Sequence, residues 1–125
     1  MVTGSVNTIL VVDNDENILS LYEDYLRLYS DFNIIMAKNG MEAVTKFKES
    51  SPDLTFMDMH MPIMNGIDAF LMIKEFDKNA NIVFLTNDPL NGELGELKKI
   101  HNVEIFTKTK FAAMLENLFV RAYTS

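Results

Sequence analysis

Asp13, Asp58, Thr86 and Lys108 each stand at or just beyond the end of a short apolar run, and together they are the side-chain types that handle a phosphoryl group. A carboxylate accepts a phosphoryl group when a divalent cation neutralises the converging negative charge. Magnesium takes oxygen ligands, usually one or two carboxylates completed by waters and phosphate oxygens. An ammonium and a hydroxyl then contact phosphoryl oxygens, one by charge and the other by a hydrogen bond. Any one of the four, taken singly, reads as a solvated strand end. Their complementarity on four separate runs is what points to chemistry.

The runs are Ile9–Val12, Asn33–Ala37, Leu54–Met57, Ile82–Leu85 and Val103–Phe106. All are short, nearly unbroken and rich in Ile, Val or Phe, as strands covered on both faces are. Helical spacing fills the gaps: Ile18, Tyr22, Tyr25 and Tyr29; Val44 and Phe47; Ile67, Phe70 or Leu71, and Ile73; Leu90, Leu94 and Leu97; Phe111, Met114 or Leu115, Leu118 and Ala122. These stripes read as buried faces of amphipathic helices, their Met and aromatic residues as core. Strand and helix alternate five times, which predicts an α/β fold, a doubly wound parallel sheet in a three-layer sandwich. In such sheets ligands bind beyond the carboxyl ends of the strands, where the four residues stand. The fourth helix is expected to be short, frayed or displaced, because Gly92 and Gly95 each cost about 1 kcal/mol relative to Ala in a helix interior.

With 125 residues, 48% hydrophobic, the chain fits one domain, and it should bury roughly two-thirds of its unfolded surface. Residues 1–7 read as a disordered lead-in or an expression remnant, and 8–124 as the domain. A net charge of −7 argues against direct binding to nucleic acid or to an anionic membrane. The chain has no cysteine, and so no disulfide, thiol nucleophile or cysteine zinc site. No apolar run approaches the length of a membrane span, and the start lacks the plan of a signal peptide. The expected location is cytoplasmic.

The segment Leu54-Thr55-Phe56-Met57-Asp58-Met59-His60-Met61-Pro62-Ile63-Met64-Asn65-Gly66 resembles the central motif of response regulator receiver domains: an apolar strand, a phosphoacceptor Asp and a Met-Pro-x-Met-(Asp/Asn)-Gly turn. In that turn Pro62 fixes its own φ and restricts Met61, and Gly66 is expected to take a backbone conformation that a Cβ disfavours. Ile9–Asp13, Ile82–Thr86 and Phe106–Lys108 are similar to the family's other three motif strands. The likeness runs from about Thr8 to Tyr123 and includes the single-domain chemotaxis type.

The resemblance implies a flavodoxin-like sheet of order 2-1-3-4-5 and a signalling switch rather than an enzyme turning over a small molecule. Asp58 would accept phosphate from a sensor histidine kinase or phosphotransfer protein. Mg2+ would be held by Asp13, Asn14, Asp58 and the backbone carbonyl of His60, whose imidazole would simply be exposed. Thr86, Asn87 and Lys108 would bind the phosphoryl group. Output would pass through the surface of helix four, strand five and helix five to a downstream protein.

Four positions depart from the pattern. Asn14 is neutral where the family has a second acid. Asn87 replaces a small residue after the Thr and, with Asp88 and Pro89 following, is expected to narrow the entrance. Thr109 replaces a Pro, so the preceding peptide is expected trans. Ile105 stands where the family has an aromatic switch residue, with Phe106 adjacent but facing the other side of the strand. Asp15 reads either as a partial substitute for the missing acid or as the cap of helix one. Two other functions compete: a phosphorylation-independent module of the same fold, favoured by Asn14, Asn87 and Ile105, and a phosphatase using Asp13-x-Asp15 as nucleophile and acid/base.

Overall fold

The five apolar runs form strands and the amphipathic stripes form helices, in strict alternation: β1 (Thr8–Val12), α1 (Glu16–Arg27), β2 (Asn33–Ala37), α2 (Gly40–Ser50), β3 (Leu54–Met57), α3 (Gly66–Phe76), β4 (Ile82–Thr86), α4 (Gly92–His101), β5 (Glu104–Thr107) and α5 (Phe111–Leu115). A 3-10 turn over Lys108–Lys110 leads into α5, and a π turn over Glu116–Val120 follows it. The computed structural model describes residues 6–120. The sheet is parallel throughout, in the order β2-β1-β3-β4-β5, the flavodoxin-like topology.

Alternation along each strand divides the core into two layers. Leu10, Val12, Met57 and Phe84 pack under α2, α3 and α4 with Phe47, Phe70 and Leu94. Ile9, Val11, Phe56 and Leu85 pack under α1 and α5 with Leu19, Tyr22, Leu26 and Phe111. Register then levels the strand ends. Val12 pairs with Met57, Met57 with Phe84, and Thr86 with Thr107, so Asp13, Asp58, Thr86 and Lys108 emerge at one edge.

Four helices begin on a side-chain cap that accepts an otherwise unpaired backbone N–H: Asp15 for α1, Asn39 for α2, Asn65 for α3 and Asn91 for α4. Each such cap contributes about 1 kcal/mol and fixes where the preceding loop must end.

Several expectations are corrected. Helix α4 is neither short nor frayed: it runs for 10 residues from its Asn91 cap. Gly92 and Gly95 fall in its first half, where packing of Leu94 and Leu97 carries the element. Leu90 lies outside the helix and is 93% exposed. The buried residues of α1 are Leu19, Tyr22 and Leu26 rather than the whole tyrosine stripe. In α3 the buried member is Phe70, and Leu71 is exposed. Just before β1, the N–H of Asn7 donates to Asp53 and its carbonyl accepts from Asn33. Ala122 lies outside the described residues. No helix among those residues is long and apolar enough to cross a membrane.

Candidate functional site

Asp13 and Asp58 follow β1 and β3 directly, neighbouring strands in register, and both are buried. Alternation puts them on the same side of the sheet as Val11 and Phe56, over α1 and α5. Lys108 reaches both from the end of β5: its Nζ lies 2.8 Å from Asp13 Oδ2 and 3.4 Å from Asp58 Oδ1. Two buried carboxylates therefore share one ammonium.

That shortage of positive charge shows in the protonation equilibria. Burial first, and then the charge of Asp13, raise the Asp58 carboxyl above its ordinary value, against the opposing pull of Lys108. Burial alone lowers the Lys108 ammonium, but hydrogen bonding and attraction from the two carboxylates outweigh it, and the net shift is upward.

The loop after Asp58 is held by backbone contacts. Gly66 N donates to Met59 O at 2.8 Å, and Gly40 N, from the start of α2, donates to Met64 O at 2.9 Å. Gly66 is needed here for space rather than for an unusual φ. A Cβ on it would stand 2.1 Å from the carbonyl oxygen of Asp58, and one on Gly40 would stand 2.4 Å from that of Met64. The left-handed residue is instead Ile63, at φ 70°, inside a three-residue turn closed by Met64 N donating to Pro62 O at 2.7 Å. Positive φ is unfavourable for a β-branched side chain, so this turn stores strain two residues before the α3 cap. The His60 side chain is exposed.

Thr86 is fully buried at the end of β4, and its hydroxyl accepts from Asp88 N at 3.0 Å. It shares the strand edge with the acidic pair but is engaged with its own loop. Asn87 is exposed. Ile105 packs with the α2–α4 layer and Phe106 with the α1–α5 layer, so the aromatic side chain is on the opposite face from the Ile, as alternation requires. No peptide among the described residues is cis, the one before Thr109 included.

A cleft of about 490 Å3 opens beside the pair, lined by Asp13, Asn14, Asp15, Ile18, Leu21, Tyr22, Asn87, Lys108 and Thr109. Asp15 is the α1 cap, its side chain accepting from Asn17 N, while its own N–H donates to Asp13 Oδ1. Asn14 and Asn87 both line it as neutral, exposed residues. Tyr22, which also lines this cleft, was legible in the sequence only as a core position.

The donor set suits a hard cation that takes few protein oxygens and fills its remaining positions with water. Asp13 Oδ2 is buried, and its partner is the ammonium of Lys108 at 2.8 Å. Among the described residues no three His, Cys, Asp or Glu side chains gather as a metal cage. Asp13 on a water-accessible cleft, with Asp58 at the neighbouring strand end, matches Mg2+, which keeps much of its hydration; Asp13 and Asp58 would hold it.

A family model described as "Response regulator receiver domain" matches residues 9–118. The chemotaxis protein CheY of Halobacterium salinarum is 44% identical over 80 residues, covering 63% of this chain and 65% of that protein. The autoinducer 1 sensor kinase/phosphatase LuxN of Vibrio harveyi is 36% identical over 107 residues, covering 86% of this chain but 12% of that protein. The matches thus span less than two-thirds of these relatives' lengths. Among solved structures, the response regulator protein TrrA from Thermotoga maritima, in complex with Mg(2+)-BeF, is 30% identical and superposes with a TM-score of 0.76 over 90% of this chain and 96% of that one.

Proposed function

The chain belongs to the response regulator receiver domain family of two-component signalling, and on that premise we propose that it is a phosphorylation-dependent switch with Asp58 as phosphoacceptor. One observation carries the reading: Asp58 and Asp13 are buried at adjacent strand ends with Lys108 spanning both. An Asp58 oxygen attacks the phosphorus of a phosphohistidine on a sensor histidine kinase or phosphotransfer protein. The P–N bond breaks, and the imidazole leaves. Mg2+, when bound, supplies charge neutralisation for the incoming phosphoryl oxygens. Asp13, Asp58, Asn14 through its amide oxygen and the His60 backbone carbonyl form its ligand set.

Lys108 exchanges part of its pairing with the carboxylates for a phosphoryl oxygen. The Thr86 hydroxyl, now an acceptor for Asp88 N, turns to donate to another. Moving that hydroxyl releases the β4–α4 loop, and the surface of α4, β5 and α5 changes for a downstream protein partner. Asn87 borders the phosphoryl site, and Ile105 and Phe106 carry less of the change than a single aromatic switch would. The protein works in the cytoplasm and turns over no small molecule beyond losing its own phosphoryl group.

Incubation with Mg2+ and acetyl phosphate, read by intact mass, should show one phosphoryl group on the wild type and none on Asp58→Asn. An adduct on Asp58→Asn would overturn the assignment. Asn14 favours one second reading, an interaction module of the same fold that needs no phosphate; failure of millimolar Mg2+ to perturb the amides of residues 13–15 and 58–60 would establish it. A phosphatase built on Asp13 finds little support, since Asp15, its acid/base, caps α1.

A further inference from the structure

Asparagine followed by glycine occurs three times, at Asn39-Gly40, Asn65-Gly66 and Asn91-Gly92, and each time the asparagine caps a helix that the glycine begins. The pair carries its own chemistry. The backbone nitrogen of the glycine can attack the side-chain carbonyl carbon of the asparagine, with no Cβ in its way, and asparagine is thermolabile for reasons of this kind. Since dipeptide and helix position are the same in all three, the surroundings decide which pair reacts.

Those surroundings differ. Gly40 N–H donates to Met64 O at 2.9 Å and Gly66 N–H to Met59 O at 2.8 Å, and both glycines are buried against backbone that leaves no room for a methyl group. Attack there must first break a hydrogen bond and lift a clamped loop, a local opening with its own free-energy cost. Gly92 is exposed, has nothing within 4 Å of a Cβ position, and its N–H makes no hydrogen bond among the described residues. Its peptide can turn toward the Asn91 side chain without meeting a neighbouring element. All three asparagine oxygens accept a capping N–H, so capping does not separate them. Asn91 Oδ1 accepts two, Glu93 N at 2.9 Å and Leu94 N at 3.3 Å, which draw charge from the carbonyl carbon under attack.

We propose that Asn91-Gly92 is a deamidation site, the reactive one of the three pairs, and that its isoaspartate product uncaps α4. The Gly92 nitrogen gives its proton to water and bonds to Asn91 Cγ. The Cγ–Nδ2 bond breaks, and ammonia leaves with a proton taken from water, closing a cyclic imide. Water then opens the ring at either carbonyl. Opening at Cγ gives aspartate, which caps as well as asparagine does. Opening at the main-chain carbonyl gives isoaspartate, which routes the chain through the former side chain and adds a methylene to it. The cap oxygen then leaves its place, and Glu93 N and Leu94 N lose their acceptor. The change falls on the β4–α4 segment and does not depend on Asp58 being the phosphoacceptor.

Ageing of the full chain in mildly alkaline buffer tests all three pairs at once, read by proteolysis and peptide mass mapping with isoaspartate resolved chromatographically. Product at Asn91 should accumulate at least about tenfold faster than at Asn39 or Asn65, the factor set by one lost hydrogen bond together with local opening. In urea, where the fold no longer distinguishes the pairs, the three rates should converge. Gly92→Ala, whose methyl meets nothing, should fold normally and lose most of the product at position 91. The isoaspartate fraction should lose amide-exchange protection at residues 93 and 94, which Asn91→Asp retains. Conversion at Asn91 no faster than at the other two overturns the proposal. So does a preference for Asn91 that persists in urea, since sequence rather than structure would then set it. Undiminished product in Gly92→Ala overturns attack by the Gly92 nitrogen, and equal protection in the isoaspartate form and Asn91→Asp overturns the uncapping.

Discussion

Two loops at the carboxyl edge of the sheet are bordered by helical glycines, and the glycines behave oppositely. After β3, Gly66 lies against the carbonyl of Asp58 and Gly40 against that of Met64, so closely that neither place admits a Cβ. After β4, Gly92 and Gly95 have nothing within 4 Å of where a Cβ would stand. The first loop is bolted to two helices through backbone hydrogen bonds. The second hangs mainly on Asp88, whose N–H reaches Thr86 and whose carbonyl accepts from Asn91 at 3.3 Å, and it ends in a nearly fully exposed Leu90. The acceptor is thus held rigidly, and slack is confined to the neighbour that has to respond. Local stability divided in this way is what a switch needs.

The largest break in this contrast is expected from Gly66→Ala. The new methyl would meet backbone at 2.1 Å, and no side chain can rotate away to relieve it. A loss of about 3 kcal/mol or more follows, because the Asp58 carbonyl or the first turn of α3 must move. Urea unfolding should show it as a lower midpoint with unchanged slope. Phosphorylation of whatever remains folded should fall as well, since Asp58 is displaced with its carbonyl. A midpoint equal to wild type would show that the loop is not clamped.

Next in size is the cation site. Asn14→Asp places a third carboxylate at the cleft mouth, and hard cations tighten with ligand charge, so Mg2+ affinity should rise roughly tenfold. Without metal the same change adds like charge near Asp13 and Asp58 and should slightly destabilise the fold. Unaltered Mg2+ affinity would place Asn14 outside the coordination shell.

Asp58→Asn should stabilise the unliganded protein. The native Asp58 carboxyl is raised from 3.8, chiefly by burial and then by Asp13. The folded state therefore holds that proton more tightly than the unfolded chain. Stability falls as pH climbs from the unfolded value through the folded one, and the full penalty applies above it. Asn removes the penalty, and Lys108 keeps Asp13 at 2.8 Å. The gain should be full at pH 7 and shrink toward nothing as pH falls below the unfolded value, read as a rise in thermal midpoint that disappears in acid. A destabilised Asp58→Asn at pH 7 would mean that the ion pair outweighs the burial cost.

Much of this was legible in the residues. Strand runs bounded by polar residues fixed five elements nearly to the residue, and Asp13, Asp58 and Lys108 converge as their places at strand ends imply. What escaped is what depends on space rather than type. The letter Gly66 does not distinguish a positive φ from a close backbone approach, and the left-handed residue of that turn is Ile63. Helix α4 misled for a related reason: two glycines lower intrinsic propensity, yet the Asn91 cap and the burial of Leu94 and Leu97 outweigh it. Tyr22 shows the limit most plainly, since a stripe predicts that a residue is buried but not what its polar atom meets.

The smallest expected effect sharpens the contrast from its loose side. Gly95 is helical, exposed and unobstructed, so alanine there should stabilise rather than clash. The helix propensity difference is about 1 kcal/mol, and alanine also narrows the unfolded ensemble, so a gain of roughly 0.5–1 kcal/mol is expected. Hydrogen exchange should slow across residues 92–101 and stay unchanged across 58–66. Because the gain favours α4 as it stands, any rearrangement of that helix on phosphorylation now starts from a deeper well. The beryllofluoride-induced exchange changes over residues 87–100, the signature expected of a β4–α4 response, should then shrink in Gly95→Ala while phosphorylation of Asp58 proceeds as before. If the variant is stabilised and those changes persist in full, the slack around Gly95 is not what the switch uses, and the response runs through the Thr86–Asp88 segment alone.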